Sequence, residues 1–505
     1  MLIFSKLSRL SLALFILLGF NACTDHRLAP QSVPDVTFFA LTSSNQLMRI
    51  SAQKSDTPQA TVAITGLQAN ERILSIDFRP ATGQLYGIGS SNRLYVINQN
   101  TGLARAIGAG AFTPALMGDV VSIDFNPTVD RLRLVTAQGQ NLRLNPETGM
   151  VQAVDMPING AAGAMIGGVA YTNNRAGVTS TLMLDIDPVT DKLYRQDPPN
   201  NGTLVEIGSL GLNVTATNGF DISPNGDAVA AVTFNGVVEL DQINVTTGRL
   251  QKIGDLPAGV IGIAIPTEPV AFTVDAANNL LIFNPMNPAP ISKALTGLAM
   301  GETILGIDVR PLNGQLYALG SSSRLYTINT ANGAATALGT GPLVPALTAT
   351  SYAFDFNPTV DRIRVVGSNG QNLRMHPDLG TVVAVDSDIN PSNITISAGA
   401  YTNNFAGTTS TVLFNIGAVE GTNAMLYVQN PPNAGTQVLV GSLGLQTEAT
   451  NGFDIGGMSN IAYALLRVGG TTRIHTINLA TGAATPGAAL PNGIEVRGFA
   501  VGLGF

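Results

Sequence analysis

The 505-residue sequence predicts an all-β protein, specifically a β-propeller of two tandem five-bladed rings with four strands in each blade. Three observations predict this fold. The second half of the chain repeats the first, and a shorter repeat of roughly 45 residues runs through both halves. Each short repeat also consists of alternating apolar stretches separated by turn residues, without helical periodicity.

The duplication of the chain is visible in several motifs. Phe125–Arg131 recurs as Phe356–Arg362, and Ala216–Ile222 recurs as Ala449–Ile455, in each case about 230 residues later. Because several motifs recur in the same order, the two halves are predicted to share one fold.

The shorter repeat is clearest around Asp77. Its apolar stretches are Ile73–Phe78, Leu85–Ile88, Arg93–Asn98 and Ala104–Ile107, separated by turns rich in Gly, Asn, Pro and Ser. Four antiparallel strands in each such unit are typical of a propeller blade, whose apolar faces are buried against the neighbouring blades. Parallel α/β folds are disfavoured because they need helical crossovers.

The ends of each half predict ring closure. The first half begins with Val36–Leu41 and ends with an unpaired strand, Val260–Ile265, and the second half begins at Val270 and ends with Val496–Val501. Pairing the last strand of each half with its own first strands would leave no open sheet edge. A single ten-bladed ring stays open as an alternative, because the spacing across the junction is that of an ordinary blade. The predicted rings comprise residues 36–266 and 267–505.

The N-terminus predicts export and lipid anchoring. Residues 1–22 carry Lys6 and Arg9 before an apolar run too short for a confident membrane span, as in a secretory signal peptide. Cys23 follows this run and resembles the lipidated residue of a bacterial lipoprotein, and Thr24 favours the outer membrane where the cell has one. Residues 23–35 then form a tether. Ordinary cleavage beside an incidental cysteine, or an uncleaved anchor, is the alternative.

The composition excludes several classes of protein. Hydrophobic residues make up 45% of the chain and charged residues 12%, which excludes a disordered chain. With 26 basic and 33 acidic residues the net charge is −7, and no basic cluster predicts a nucleic-acid partner. The single cysteine excludes intramolecular disulfides.

Three of the repeated motifs together resemble a known family. They are the Phe-Asn-Pro-Thr-Val-Asp-Arg stretch from Phe125, the Tyr-Thr-Asn-Asn stretch from Tyr171 and the Ala-Thr-Asn-Gly-Phe-Asp stretch from Ala216. The set resembles a secreted bacterial family named only as domain of unknown function 4394, present here as two tandem copies. The resemblance implies a propeller-like extracellular domain and supplies no activity, substrate or catalytic residue.

A cluster of charged and amide residues around the repeated Asn-Pro motif is the predicted binding site. An Asp beside an Arg can hold a carboxylate or a sugar, because the guanidinium offers a bidentate fork. Alternatively, the Asn and Asp cap a tight turn and the Arg pairs with an Asp of the next blade. The set comprises Asp124, Asn126, Asp130, Arg131 and Arg133 in the first half, and Asp355, Asn357, Asp361, Arg362 and Arg364 in the second.

Six aspartates occupy the same position in six of the ten predicted inner strands. A ring of carboxylates near the channel mouth could hold Ca²⁺, yet no calcium-loop spacing is present. Repetition favours the other interpretation, in which each Asp accepts hydrogen bonds from the neighbouring blade, so no metal or other cofactor is predicted and Ca²⁺ is the alternative. The six are Asp77, Asp124, Asp221, Asp308, Asp355 and Asp454. A separate acidic stretch, Asp185-Ile-Asp187, has the copy Asn415-Ile-Gly417, so a shared metal site is not expected there.

Signatures of common enzymes are missing from the sequence. The three histidines lack counterparts in the other half, which disfavours a catalytic triad and a histidine-bound metal. We therefore expect a lipid-anchored binding or scaffold protein of the bacterial envelope, with the membrane and an envelope protein or glycan as partners. The alternative is a propeller hydrolase or lyase that acts at the channel mouth through Asp, Arg and Tyr.

Overall fold

The computed structural model describes residue 30, residues 32–491 and residues 494–505. Forty strands form ten separate four-stranded antiparallel sheets, so the all-β prediction is confirmed. Two single-turn 3₁₀ helices, Pro199–Asn201 and Pro432–Ala434, lie within these residues, and no helix described here is long and apolar enough to span a bilayer. The predicted signal peptide, Cys23 and most of the tether lie outside the described residues.

The first ring contains twenty strands. In chain order they are β1 (Thr37–Thr42), β2 (Gln46–Ser51), β3 (Ala60–Ala63), β4 (Ile73–Phe78), β5 (Leu85–Gly89), β6 (Arg93–Ile97), β7 (Ala104–Ile107), β8 (Val121–Asn126), β9 (Arg131–Thr136), β10 (Asn141–Leu144), β11 (Val151–Val154), β12 (Gly168–Tyr171), β13 (Met183–Asp187), β14 (Lys192–Gln196), β15 (Leu204–Ser209), β16 (Ala216–Ile222), β17 (Ala228–Phe234), β18 (Val237–Ile243), β19 (Leu250–Asp255) and β20 (Val260–Ala264).

The second ring repeats this order. Its strands are β21 (Ala271–Asp275), β22 (Asn279–Asn284), β23 (Asn287–Ala294), β24 (Ile304–Val309), β25 (Leu316–Gly320), β26 (Arg324–Ile328), β27 (Ala335–Ala337), β28 (Tyr352–Asn357), β29 (Arg362–Gly367), β30 (Asn372–His376), β31 (Thr381–Val385), β32 (Ile394–Tyr401), β33 (Leu413–Val419), β34 (Met425–Gln429), β35 (Gln437–Ser442), β36 (Ala449–Ile455), β37 (Ala462–Val468), β38 (Thr471–Ile477), β39 (Ala484–Ala489) and β40 (Val496–Val501).

Strand pairing closes each ring on itself. The last strand of the first ring, β20, pairs antiparallel with β1, and β40 pairs in the same way with β21. The innermost strands also contact one another in two closed cycles of five. The structure therefore has two five-bladed rings, as predicted, and the single ten-bladed ring is not formed. Closure removes the open sheet edge that either ring would otherwise expose.

The hydrophobic core lies between neighbouring blades. Tyr86 of the second blade packs edge-on against Phe125 of the third, with ring centroids 5.1 Å apart, and Tyr317 packs in the same way on Phe356, at 5.0 Å. All four residues are at most 3% exposed. A blade buries its apolar side chains only against its neighbours, which explains why Ile, Leu, Val and Phe fill the strands.

The two rings also contact each other. Phe505, the last residue, packs against Gly83 of the first ring, and a Cβ at Gly83 would lie 2.3 Å from the phenyl ring. Gly83 also has a φ of 70°, so glycine meets both a close contact and a left-handed backbone there. On the same side, the guanidinium of Arg105 donates to the carbonyl oxygen of Leu312 at 2.5 Å.

Candidate functional site

The five predicted binding residues of each ring do not meet in one place. Asp124 lies on the innermost strand β8, Asp130 lies in the turn that follows β8, and Arg133 lies on β9. The remaining two flank that turn, and the second ring has the same arrangement. The predicted set therefore divides into a turn, a channel residue and contacts between blades.

The Asn-Pro-Thr-Val-Asp motif forms a capped turn. The Asn126 side-chain oxygen accepts from the backbone N–H of Thr128 at 3.0 Å and from its hydroxyl at 2.7 Å. Asn357 and Thr359 make the same bonds in the second ring. Asp130 then adopts a left-handed backbone, with a φ of 51°, which Asp tolerates better than most residues. The repeated motif thus encodes a turn.

The turn aspartates pair with arginines of the preceding blade. Arg79, which is 1% exposed, donates through Nε and Nη2 to the two carboxylate oxygens of Asp130 at 2.8 and 2.5 Å, and also pairs with Glu147. Arg310 and Asp361 form the same bidentate pair in the second ring. Charge-assisted forks of this kind fix both distance and orientation, so they join consecutive blades.

Arg133 and Arg364 bridge two blades from the other side. Arg133 donates to Asn141 at 2.7 Å and to Asp155 at 2.5 Å within its own blade, and to Asn200 of the next blade at 2.7 Å. Arg364 has the equivalent three partners in its ring. Both arginines are at most 3% exposed, which leaves their guanidinium groups engaged inside the protein.

Arg131 and Arg362 lie nearer the surface and also have partners. Each donates to the carbonyl oxygen of the preceding aspartate, at 2.7 and 2.8 Å respectively, and Arg131 also bonds Gln152. A ligand-binding role for the predicted set stays a prediction. The contacts described here give its members a structural role, as the alternative interpretation expects.

Three aspartates of each ring converge in the central channel. One carboxylate oxygen of each lies within 4.8 Å of those of the other two, and all six side chains are at most 2% exposed. We call these sets the aspartate triads: Asp77, Asp124 and Asp221 in the first ring, and Asp308, Asp355 and Asp454 in the second.

Each triad carboxylate also accepts a backbone N–H from the next blade. Such a bond fixes the angle between two inner strands, which is the role that repetition in the sequence favours. The pairs are Phe125 N–H with Asp77 (2.7 Å), Tyr171 N–H with Asp124, Ile265 N–H with Asp221 (2.6 Å), Phe356 N–H with Asp308 (2.7 Å), Tyr401 N–H with Asp355 (3.0 Å) and Val501 N–H with Asp454 (2.6 Å).

Burial changes the acidity of the triads. It raises the pKa of Asp77 and Asp124 well above the usual value, and repulsion from the neighbouring carboxylates raises both further. Burial raises the pKa of Asp221 and of Asp454 to about 7. Among the described residues, no basic side chain forms an ion pair with a triad carboxylate. Each triad therefore retains protons at pH values where exposed aspartates are ionised.

The oxygens of a triad are better suited to sharing protons than to coordinating a calcium ion. Ca²⁺ takes six to eight oxygen ligands. Most triad oxygens already accept backbone N–H groups, and one buried oxygen in each ring, Asp124 Oδ1 or Asp355 Oδ2, has no hydrogen-bond partner among the described residues. A shared proton needs only two oxygens. We therefore interpret each triad as a set of carboxyl groups that share protons and join neighbouring blades through hydrogen bonds.

The channel of the second ring opens into a funnel of about 210 Å³ at the start of its inner strands. All five inner strands or the loops before them line it, and the polar lining residues include Thr350, Ser351, Ser397 and Arg497. Tyr352 and Phe354 also line it, but both side chains are largely buried in the core, at 5% and 6% exposed. Arg497 is part-buried and has no carboxylate within ion-pair distance among the described residues. The funnel thus presents an uncompensated positive charge beside hydroxyl groups.

The first ring lacks this chemistry at equivalent positions. Counting back from Ala264 and Ala500, Ile261 replaces Arg497, and Val121 replaces Tyr352. Sequence reasoning missed the funnel because it searched for repeated residues. The signal that could have identified the funnel is a difference between the halves, because only the second half has an arginine in its closing strand.

The second ring has smaller side chains than the first at two positions of its inner strands. Ser75 of the first ring has Gly306 as its counterpart, and Ser122 has Ala353. The serine hydroxyls accept N–H groups of the next blade at 3.3 and 2.9 Å. Glycine is required in the second ring because a Cβ at Gly306 would lie 2.7 Å from Phe354 Cβ.

Two solved structures among the matches are of the extracellular domain of BT4673 from B. thetaiotaomicron, described once as a one-component and once as a hybrid two-component system. Each is 12% identical to the chain, with TM-scores of 0.26 and 0.25. Each alignment covers 89% of this chain and 58% of the other, so the chain spans just over half the length of these structures. These scores are too low to inform the site, and no curated protein matches the chain.

The family comparison covers most of the sequence. The model described as "Domain of unknown function (DUF4394)" matches residues 46–264 and again residues 279–500. The two matched segments lie within the two rings, so one family domain corresponds to one five-bladed ring. The resemblance seen in the repeated motifs is confirmed, and the chain belongs to the DUF4394 family, with two tandem copies of its domain.

Proposed function

We propose that the chain is a lipid-anchored binding protein of the bacterial envelope that holds an acidic sugar in the funnel of its second ring. The observation that carries the proposal is Arg497, a part-buried cation that lines the funnel and has no ion-pair partner among the described residues. In this proposal the first ring is scaffold.

The lining of the funnel supports a carboxylated sugar as the ligand. A guanidinium recognises a carboxylate through two parallel hydrogen bonds. Thr350, Ser351 and Ser397 can exchange hydrogen bonds with sugar hydroxyls. A few polar groups placed in a mostly apolar pocket are typical of small-molecule sites.

Titration calorimetry tests the ligand class. We expect oligosaccharides that end in glucuronic acid to bind the purified mature protein, and matched oligosaccharides that end in glucose to bind at least tenfold more weakly. Arg497→Ile, which places the residue of the first ring in the second, should weaken glucuronide binding by tenfold or more, since a hydrogen bond to a charged group contributes about 1.5–3 kcal/mol.

Arg249→Gln is the matched control for that experiment. Arg249 is exposed on the first ring, away from either channel, so its loss should leave binding unchanged. Equal affinity of the wild type and Arg497→Ile for the glucuronide would contradict the proposed site.

Envelope localisation and the lipid anchor are supported by the sequence before the rings. The charged start, the short apolar run and Cys23 together are typical of a lipoprotein signal. We expect the protein to label with a radioactive fatty acid and to sediment with membranes, and Cys23→Ala to lose both properties. A Cys23→Ala protein that still labels would contradict the anchor.

The alternative function, a hydrolase or lyase, draws less support from the site. Its candidate groups included Asp124 and Arg133, which are at most 2% exposed and bonded to neighbouring blades. A substrate would have to displace those bonds to reach them. Turnover of a glycan, lactone or phosphoester that is abolished by Asp124→Asn or Asp355→Asn without loss of stability would favour the enzyme.

A further inference from the structure

A second cavity lies between the two rings, away from both channels. It has a volume of about 400 Å³, within the range of small-molecule sites. The first ring contributes Leu85, Val96 and Leu103 to its walls. We call this cavity the inter-ring groove.

The second ring and the C-terminal segment form the opposite wall of the groove. They contribute Phe405, Met458 and Leu503, together with Pro311. The two walls are thus largely apolar, and Leu103 leaves 52% of its surface exposed. Val96, Phe405 and Met458 are part-buried, whereas Leu85 and Leu503 are buried. A ligand in the groove would therefore cover mainly Leu103 and the three part-buried side chains.

The groove contains one cation, Arg105, which is only part-buried. Its guanidinium donates to two carbonyl oxygens, of Leu312 at 2.5 Å and Ala106 at 3.4 Å, and has no carboxylate within ion-pair distance among the described residues. The acid that influences it, Asp361, is already paired with Arg310. Burial lowers the pKa of Arg105, and a bound anion would offset that effect.

We infer that the inter-ring groove binds a single-chain amphiphile with a carboxylate head, the head on Arg105 and the apolar chain along the walls. Charge complementarity selects the head, because the guanidinium of Arg105 bonds carbonyl oxygens and has no carboxylate partner among the described residues. The apolar walls select the chain. This site is independent of the funnel proposed above.

The second ring itself supplies fold-compatible variants for the test. Thr336 is the counterpart of Arg105, and Ala334 is the counterpart of Leu103. Arg105→Thr removes the charge and Leu103→Ala removes part of one wall, each with a residue that the same blade position already accepts. Arg249→Gln is again the control for a lost surface charge.

Titration calorimetry with dodecanoate, 1-dodecanol and dodecyltrimethylammonium, all as dispersed monomers, is the experiment. We expect dodecanoate to bind with one molecule per chain, at least tenfold more tightly than the other two. Arg105→Thr should weaken dodecanoate binding at least tenfold and Leu103→Ala should weaken it severalfold. Arg249→Gln should leave both the binding and the melting temperature unchanged.

Three outcomes would overturn the inference. Dodecanoate that does not bind the wild type would show that the groove does not take a carboxylate amphiphile. Equal binding of 1-dodecanol would show an apolar site without a role for Arg105. Unchanged affinity in Arg105→Thr would place the ligand elsewhere.

Discussion

The two rings share a frame and differ at a few positions, and the difference separates structural residues from candidate functional ones. The bonds that join blades recur in both rings: the forks of Arg79 and Arg310, the bridges of Arg133 and Arg364, and the aspartate triads. The funnel arginine, Arg497, occurs once. A bond between blades is needed in every ring, whereas a ligand site is needed once in the chain.

The largest expected effect is a loss of stability on removal of an ion pair that joins two blades. Arg79→Met should lower the free energy of unfolding by about 3–5 kcal/mol, because it leaves the buried carboxylate of Asp130 without its cation and leaves Glu147 with only the longer contact to Arg131, at 3.9 Å. Arg310→Met should cost less, since its partners Asp361 and Asp378 have side chains 30% and 59% exposed and can be hydrated. Urea unfolding measures both, and an equal or larger loss for Arg310→Met would contradict this contrast.

The aspartate triads should make stability depend on pH. A carboxyl whose pKa is raised on folding binds more protons in the folded state. Its contribution is complete below its unfolded pKa, about 4, and is lost as pH rises through its folded value, about 7 for Asp221 and Asp454. The melting temperature should therefore fall between pH 5 and pH 8.

Two substitutions at one triad position sharpen that expectation. Asp124→Asn should reduce the pH dependence of the melting temperature. It should keep the hydrogen bond between blades, because an amide oxygen can still accept the N–H of Tyr171. Asp124→Ala removes the acceptor and should lower stability at both pH values by about 1–3 kcal/mol. A wild-type melting temperature that rises from pH 5 to pH 8, or one raised strongly by Ca²⁺ at pH 8, would favour a metal site instead.

A smaller effect is expected where an acid of the first ring has an amide as its counterpart. Both oxygens of Asp185 are buried without a hydrogen-bond partner among the described residues, as is Gln196 Oε1. In the second ring, Asn415 Nδ2 donates to Gln429 at 2.7 Å and to Gln437 at 3.1 Å.

Asp185→Asn should therefore stabilise the protein at pH 8 by about 1–2 kcal/mol, because the amide can donate to Gln196 as Asn415 does to Gln429. Burial raises the pKa of Asp185 well above its usual value, so the gain should shrink as pH falls and the wild-type carboxyl takes up a proton. Thermal melting at pH 5 and pH 8 measures both effects. A destabilised Asp185→Asn at pH 8 would show that the carboxylate has a partner that the substitution removes.

The smallest effect on stability is expected at the funnel. Arg497→Ile should change the free energy of unfolding by less than about 0.5 kcal/mol, because the guanidinium makes no ion pair among the described residues. Urea unfolding of this variant and of Arg79→Met compares a residue that occurs in only one ring with a residue that joins two blades. A loss of more than about 2 kcal/mol in the free energy of unfolding would show that Arg497 stabilises the fold.

The fold was predictable because the pattern of one blade is repeated along the sequence of a propeller. Ten copies of one strand-turn pattern identify the blades, and the closing strands at Val260 and Val496 identify two rings. The role of the triad aspartates as ties was also predicted, because their position recurs in six inner strands.

The geometry of the sites was not predictable from local sequence. Asp124, Asp130 and Arg133 are neighbours in the chain, yet an inner strand, a turn and the next strand direct their side chains to different places. The funnel and the inter-ring groove, in contrast, join residues from distant blades. Only the folded rings place Arg497 and Tyr352 around one funnel, or Arg105 and Phe405 around one groove.

Native mass spectrometry of the mature protein with a glucuronic-acid-terminated oligosaccharide tests most directly whether ligand binding belongs to the second ring alone. We expect one bound oligosaccharide per chain and none in Arg497→Ile. Two bound oligosaccharides per chain, or one that persists in Arg497→Ile, would contradict it.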